Sequence, residues 1–395
     1  MRGTLLSLCA LAACAVNESS EPAANHSQID EPITNGAADA GDPQVVALVD
    51  PADRVLCTAT VIGPHTAITA AHCFLGPAPR TLRVFFGSTI AGGGTFTPVA
   101  DARSHPSFDA ATLAHDIALL TFRDDSPVAP LGFDTRTIDA SLVGTSFRVV
   151  GFGTTSNTSG DSGDKREGVA KVSDVQAEEF TALPSPSQPC RGDSGGPALF
   201  GTQTIAAVVS RGDAACSDHA VYARIDTARA ALVDPYLADT APGTAHTGDA
   251  CFYSGHCAEG PCLQTHDDPL LYFCSQPCAR DADCPAAMEC ASDGCRYPEP
   301  SPGAIGATCE QDAQCTIATC RESVCTLGCL LDPNVCPAGF ECRPSGTSQY
   351  CFAKPDDTCG GCSSSSPTAA GLLVLLGFAR RRRRVRSRQY ISHMR

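Results

Sequence analysis

Cys190-Arg191-Gly192-Asp193-Ser194-Gly195-Gly196-Pro197 is the stretch from which the rest of the chain is read outward. Taken alone, Gly192 to Gly196 is a turn, and only its setting gives Ser194 a meaning. That setting is rich in strands. From Ile33 to about Leu237, short β-rich runs follow one another: Val45 to Val49, Leu82 to Phe86, Phe147 to Val150, Gln203 to Ser210 and Ala220 to Ile225. Gly, Pro, Asp or Ser punctuates them, which is the pattern of an all-β barrel or sandwich. Asp226 to Ala238 alone reads as helix, with apolar positions near helical spacing behind an Asp placed to cap it.

Two further segments precede the opening stretch in a fixed order. Thr69-Ala70-Ala71-His72-Cys73 comes first, and His115-Asp116-Ile117-Ala118-Leu119-Leu120 lies between. A Ser hydroxyl is a poor nucleophile until a base removes its proton. Histidine takes such a proton and returns it to a leaving amine, while a buried carboxylate fixes the imidazole tautomer. These three segments resemble the trypsin-like (chymotrypsin-fold) serine protease family over Ile33 to about Leu237, roughly half the chain. The resemblance implies two six-stranded antiparallel barrels with a C-terminal helix, and a serine endopeptidase that works through an acyl-enzyme on protein or peptide substrates. It implies His72, Asp116 and Ser194 as the catalytic triad, the backbone N–H groups of Gly192 and Ser194 as the oxyanion hole, and no metal or organic cofactor.

By the same resemblance Cys57 and Cys73 staple the loop carrying His72, and Cys190 and Cys216 clamp the walls of the substrate pocket. Gly151-Phe152-Gly153 matches the family's Gly-Trp-Gly, and Ser210-Arg211-Gly212 its substrate-binding Ser-Trp-Gly strand, with Arg for Trp. The base of the specificity pocket falls on Gln188, so a Lys or Arg side chain entering there is desolvated without a counter-ion. Ala220 stands where trypsin has a wall glycine and narrows the pocket. Cleavage after small or medium uncharged residues is therefore expected. Ile33-Thr34-Asn35-Gly36 resembles the family's mature N-terminus, whose freed ammonium pairs with Asp193. Pro32 precedes it, so an unknown protease of different specificity makes that cut or the chain stays a zymogen.

Composition sets the surroundings. Twenty-four cysteines imply an oxidising, extracytoplasmic site, the cell-envelope surface or the medium. Zinc is not indicated, because paired C-x-x-C ligand spacing is absent from the body of the chain. The net charge is -15, yet eight of the 28 basic residues lie between Arg380 and Arg395. The remainder carries 20 basic residues against 43 acidic ones, which repels phosphate backbones and excludes nucleic acid as a partner.

Beyond Leu237 the chain changes character. A Pro/Gly/Thr-rich hinge (239–249) leads to eight cysteines, Cys251 to Cys295, and then eight more, Cys309 to Cys351, with the first two spacings identical. Cys284-Pro285-Ala286 with Glu289-Cys290 recurs as Cys336-Pro337-Ala338 with Glu341-Cys342. Each unit is too small for its own apolar core and relies on disulfides, whose pairing has 105 solutions. These units resemble the Cys-rich modules of extracellular proteins and read as stapled spacers.

The ends read as addresses. Met1 to Ala13 is a short export signal, and Leu11-Ala12-Ala13-Cys14 looks like a lipobox that makes Cys14 a lipidation candidate. Cys359-Gly360-Gly361-Cys362, an apolar segment (367–379) and an Arg cluster (380–388) resemble myxobacterial sorting tails, implying export and sorting machinery and membrane contact. The expected organisation is signal and propeptide (1–32), protease domain (33–238), linker (239–249), module one (250–298), linker (299–307), module two (308–353) and sorting tail (354–395). The rival to a secreted or surface-attached protease is a catalytically silent, zymogen-like adhesion protein that binds through its modules. An esterase of unrelated α/β fold is not expected, because Gly192 to Gly196 is read as lacking the Gly-x-Ser-x-Gly elbow spacing and its surroundings are strands.

Overall fold

The computed structural model describes residues 33–201, 204–315, 319–329, 336–346 and 348–354. Twelve strands build two barrels of the same topology. In the first, β1 (Val45–Val49), β2 (Val55–Val61), β3 (Thr66–Thr69), β4 (Arg83–Phe86), β5 (Thr95–Ser104) and β6 (Ala118–Phe122) close in the order β1-β2-β3-β6-β5-β4. The second comprises β7 (Ser146–Gly151), β8 (Arg166–Val175), β9 (Glu179–Pro184), β10 (Pro197–Leu199), β11 (Thr204–Gly212) and β12 (Ala220–Arg224). It runs β7-β8-β9-β12-β11-β10, and β7 pairs with both β8 and β10 to close it. Closure leaves no long edge free to recruit another strand.

The apolar runs are continuous because both faces of a strand are buried. In β1, Val46 and Leu48 fill the first barrel, while Val45, Ala47 and Val49 turn to a cluster shared with the second. That shared cluster takes Ile68 and Leu119 from the first barrel, and Val150, Leu199, Ile205 and Val208 from the second. Each such side chain contributes about 1.5–3 kcal/mol on leaving water. The cluster therefore fixes one barrel on the other, and the cleft between them is where the candidate residues meet.

The helical stretch runs from Ile225–Ala228 through a π turn, Arg229–Val233, to Asp234–Asp239. Its cap departs from expectation. Arg224 occupies the N-cap without a side-chain cap bond, and Asp226 lies in the first turn, paired to Arg224 at 2.7 Å. Leu232, Val233 and Tyr236 seal the inter-barrel cluster.

The cysteine-rich part resolves the pairing that spacing leaves open. Cys251–Cys262, Cys257–Cys274, Cys278–Cys290 and Cys284–Cys295 join in the first set of eight. Cys309–Cys320, Cys315–Cys325, Cys329–Cys342 and Cys336–Cys351 join in the second. Each set pairs first with third, second with fourth, fifth with seventh and sixth with eighth. The structural unit is thus four cysteines around one two-stranded hairpin. The segment 239–249, read as a hinge, is hydrogen-bonded: Thr240 O accepts from Tyr253 Oη at 2.8 Å and Ala245 N–H donates to His256 O at 3.1 Å. Cys14, Cys359, Cys362, the signal segment, the apolar segment and the Arg cluster lie outside the described residues.

Candidate active site

Both barrels contribute candidate residues. His72 sits in a short 3-10 turn (Ala71–Phe74) just after β3, and Asp116 lies just before β6. Ser194 precedes β10, and Ser210 lies within β11. Asp116 is fully buried and binds His72 twice, accepting from its backbone N–H at 2.8 Å and from Nδ1 at 2.7 Å. Since a carboxylate only accepts, Nδ1 carries the proton and Nε2 is left free to act as a base. Ser210 Oγ donates to the same Asp116 oxygen at 2.7 Å, which ties the second barrel to the pair. His115, at φ 54°, turns the chain sharply immediately before Asp116.

Ser194 and Ser210 line one cavity of roughly 200 Å³. Ser194 is held by its carbonyl, which accepts from Thr58 N–H at 2.8 Å. Among the described residues no hydrogen bond joins Ser194 Oγ to His72, a contact that commonly tightens only with substrate bound. Within Gly192 to Gly196, the N–H groups of Asp193, Gly195 and Gly196 are each hydrogen-bonded, to Cys190 O, Val209 O and Asp193 O. Those of Gly192 and Ser194 have no partner among the described residues. Gly192 adopts φ 95°, a conformation a side chain resists, and its carbonyl is drawn aside by Thr58 Oγ1 at 2.9 Å. Cys57–Cys73 brackets the turn bearing His72, and Cys190–Cys216 spans the cavity wall.

Asp193 points away from the cleft into the second barrel. Cys190 N–H and Gly153 N–H bind its two oxygens at 2.8 and 2.7 Å. Gly151 and Gly153 press against the carboxyl group, so a Cβ at 151 would lie 2.2 Å from Oδ1. Burial pushes its pKa up to about 7 despite those two N–H donors. Ile33 is fully buried in the core of the same barrel, with Thr34 N–H donating to Gln188 O at 2.9 Å.

Gln188 and Ala220 are both buried, and neither is among the residues lining this cavity. Gln188 Nε2 donates to Asp213 Oδ1 and to His219 O, both at 2.7 Å. Gly212 lines the cavity. Arg191 and Asp213 also line the cavity, although the motif reading gives neither a role. Partial burial raises the Asp213 pKa, but N–H groups of Asp218, His219 and Ser217, with the Gln188 amide, hold the carboxyl well below its usual range. The legible signal was local: an Asp that folds back on the N–H two residues ahead, here Ala215 at 3.0 Å. A larger cavity, about 1060 Å³, lies between the first barrel and the modules and is lined by none of the candidate site residues.

The profile of the family described as Trypsin matches residues 34–232, half of this chain. The chain belongs to the trypsin family. Its relatives within the trypsin family include a protein called trypsin from Saccharopolyspora erythraea, 27% identical over 200 residues, covering 46% of this chain and 88% of the relative. Trypsin iota of Drosophila melanogaster is 29% identical over 207 residues, 47% of this chain and 78% of its own length. Spermosin of Halocynthia roretzi is 30% identical over 190 residues, 41% and 48% respectively. As a member of the trypsin family the chain is a serine-type endopeptidase that hydrolyses peptide bonds. Gly192-Asp193-Ser194-Gly195-Gly196 does have the Gly-x-Ser-x-Gly spacing of an α/β-hydrolase elbow. Here, however, Ser194 leads into strand β10 of a barrel, where the elbow requires a helix.

Proposed function

We propose that His72, Asp116 and Ser194 perform this hydrolysis, as nucleophile activation by a base with a fixed tautomer. His72 Nε2 takes the proton of Ser194 Oγ as that oxygen bonds to the substrate carbonyl carbon. The carbonyl oxygen becomes an oxyanion between the N–H groups of Gly192 and Ser194. His72 returns the proton to the leaving amine as the C–N bond breaks, giving the acyl-enzyme. Water, deprotonated by His72, then releases the acid and restores Ser194. The doubly bound Asp116–His72 pair is the observation that carries this reading.

Substrates are protein or peptide chains cleaved after small or medium uncharged residues. A cavity of roughly 200 Å³ supports this, as does a Gln188 amide already committed to Asp213 and His219. Asp213 is the one carboxylate on the cavity wall, and backbone donors occupy its oxygens. Activation follows a cut at Pro32–Ile33 by another protease, which places an ammonium near the buried Asp193. Ten disulfides among the described residues favour an extracytoplasmic site of action. No helix of the described residues is long and apolar enough to cross a membrane. Envelope attachment, through Cys14 or the tail, is the reading of the sequence ends.

Labelling of exported protein by a fluorophosphonate tests the assignment. Labelling is expected in the wild type and absent in Ser194→Ala, with activity down by about 10⁴-fold or more. Equal labelling of both would refute it. A peptide-library profile dominated by Lys or Arg would overturn the uncharged preference and assign Asp213 as their counter-ion.

A further inference from the structure

The cleft of this acidic protein carries two guanidinium groups. Arg191 and Arg211 both line the cavity that holds Ser194, in a chain of net charge -15. Arg191 is exposed and enters no ion pair among the described residues. Arg211 stands in β11 between Ser210 and Gly212, at a point where the register against β12 shifts. Its Nη2 is fixed to Glu179 Oε1 at 2.7 Å, while Nη1 is shielded from solvent and has no partner among the described residues. A buried guanidinium N–H without an acceptor is unfavourable, so Arg211 retains an unsatisfied donor. Asp213, the only carboxylate on the same wall among the described residues, already accepts from Gln188 and from several backbone N–H groups.

We propose that Arg211, with Arg191, selects substrates carrying an Asp or Glu side chain within the three residues before the one at the scissile bond. This rests on the reading above, in which a substrate strand lies along Ser210 to Gly212. A chain extended there carries the residues before the scissile one past Arg211. Glu179 consumes one of five guanidinium N–H donors and holds the group in place, so a second carboxylate meets an oriented fork and not a mobile cation. Arg191 adds unpaired positive charge to the same cavity, and the acidic remainder of the surface makes the contrast local. The recognised chemistry is an acidic segment ending in a small uncharged residue.

The test uses the full chain processed to begin at Ile33, with rates expressed per site titrated by the fluorophosphonate. Quenched peptides share one cleavage residue and differ only by Asp or Glu against Asn or Gln at each of the three preceding positions. The acidic peptide is expected to show roughly tenfold higher kcat/KM at low salt, a ratio that shrinks at high ionic strength. Arg211→Gln is expected to bring the two peptides to parity, Arg211→Lys to retain part of the difference, and Arg191→Gln to reduce it. Titrating sites keeps a partly unfolded variant from imitating a loss of selectivity. Equal rates for acid and amide peptides in a titratable wild type would overturn the proposal and leave the protease reading intact, as would a preference unchanged in both Arg→Gln variants. No titratable sites in the wild type would overturn the protease reading, and this proposal with it.

Discussion

At the scale of single residues, Asp193 is the most consequential side chain outside the proposed triad. It is a fully buried carboxyl group with two N–H donors and no cation, and burial raises its pKa to about 7. Unfolded, the same group titrates near 3.8. Between those values the folded chain keeps a proton that the unfolded chain has released, so stability falls as pH rises. Across that window the uncut chain is expected to lose on the order of 4 kcal/mol, then to level off above pH 7. A freed Ile33 ammonium would hold the carboxylate ionised and flatten that slope. Urea midpoints at pH 5 and pH 8, for Ser194→Ala with and without residues 1–32, measure the difference; equal slopes would show that Ile33 and Asp193 do not interact. Motif reading singled out His72, Asp116 and Ser194 because each sits in a short local signal, while the bond between His72 and Asp116 joins residues 44 apart in the chain. It assigned Gln188 to the base of the pocket, and the structure adds that its amide donates to Asp213. The direction of a side chain is set by contacts 25 residues away.

Among the elements, the barrels show why apolar runs without alternation still make strands. β1 and β6 are buried on both faces, one toward a barrel interior and one toward the other barrel. The helical stretch closes this arrangement through Leu232, Val233 and Tyr236, although its expected Asp cap is absent. Packing, not capping, therefore holds it. Leu232→Ala is expected to cost about 3 kcal/mol by chemical denaturation, and a loss under about 1 kcal/mol would mean that the helix is dispensable to the inter-barrel core. In the cysteine-rich part, the element is a hairpin with two disulfides. Asp281 and Asp312 occupy matching places, each accepting from a cysteine N–H, Cys290 at 2.9 Å and Cys320 at 2.8 Å. That Asp-Ala-x-Cys recurrence cuts across the eight-cysteine repeat seen in the spacing.

For the whole molecule, the first module is packed on the first barrel. The Arg123 guanidinium lies 3.4 Å from the centroid of the Tyr272 ring, and His65 stacks on Tyr253 at 3.8 Å. Arg80 and Arg123 both donate to Leu270 O at 3.1 Å. Burial lowers the Arg123 pKa to about 10, so the contact is largely shielded from water. A double-mutant cycle of Arg123→Ala and Tyr272→Ala is expected to give a coupling of about 1–2 kcal/mol. A value near zero would make the module the spacer that its composition alone suggests.

The sequence by itself determined the order of three local signals, the strand-rich domain around them and the disulfide-rich part. Each is written in contiguous residues or in composition, so no long-range information is needed to read it. Only the tertiary structure decided which cysteines pair, where Gln188 and Asp213 point, and how Arg211 is gripped by Glu179. It also decided that the segment 239–249 is hydrogen-bonded and that a module rests against a barrel. Those outcomes depend on contacts between residues far apart in the chain, where many arrangements satisfy the same local pattern and packing selects one.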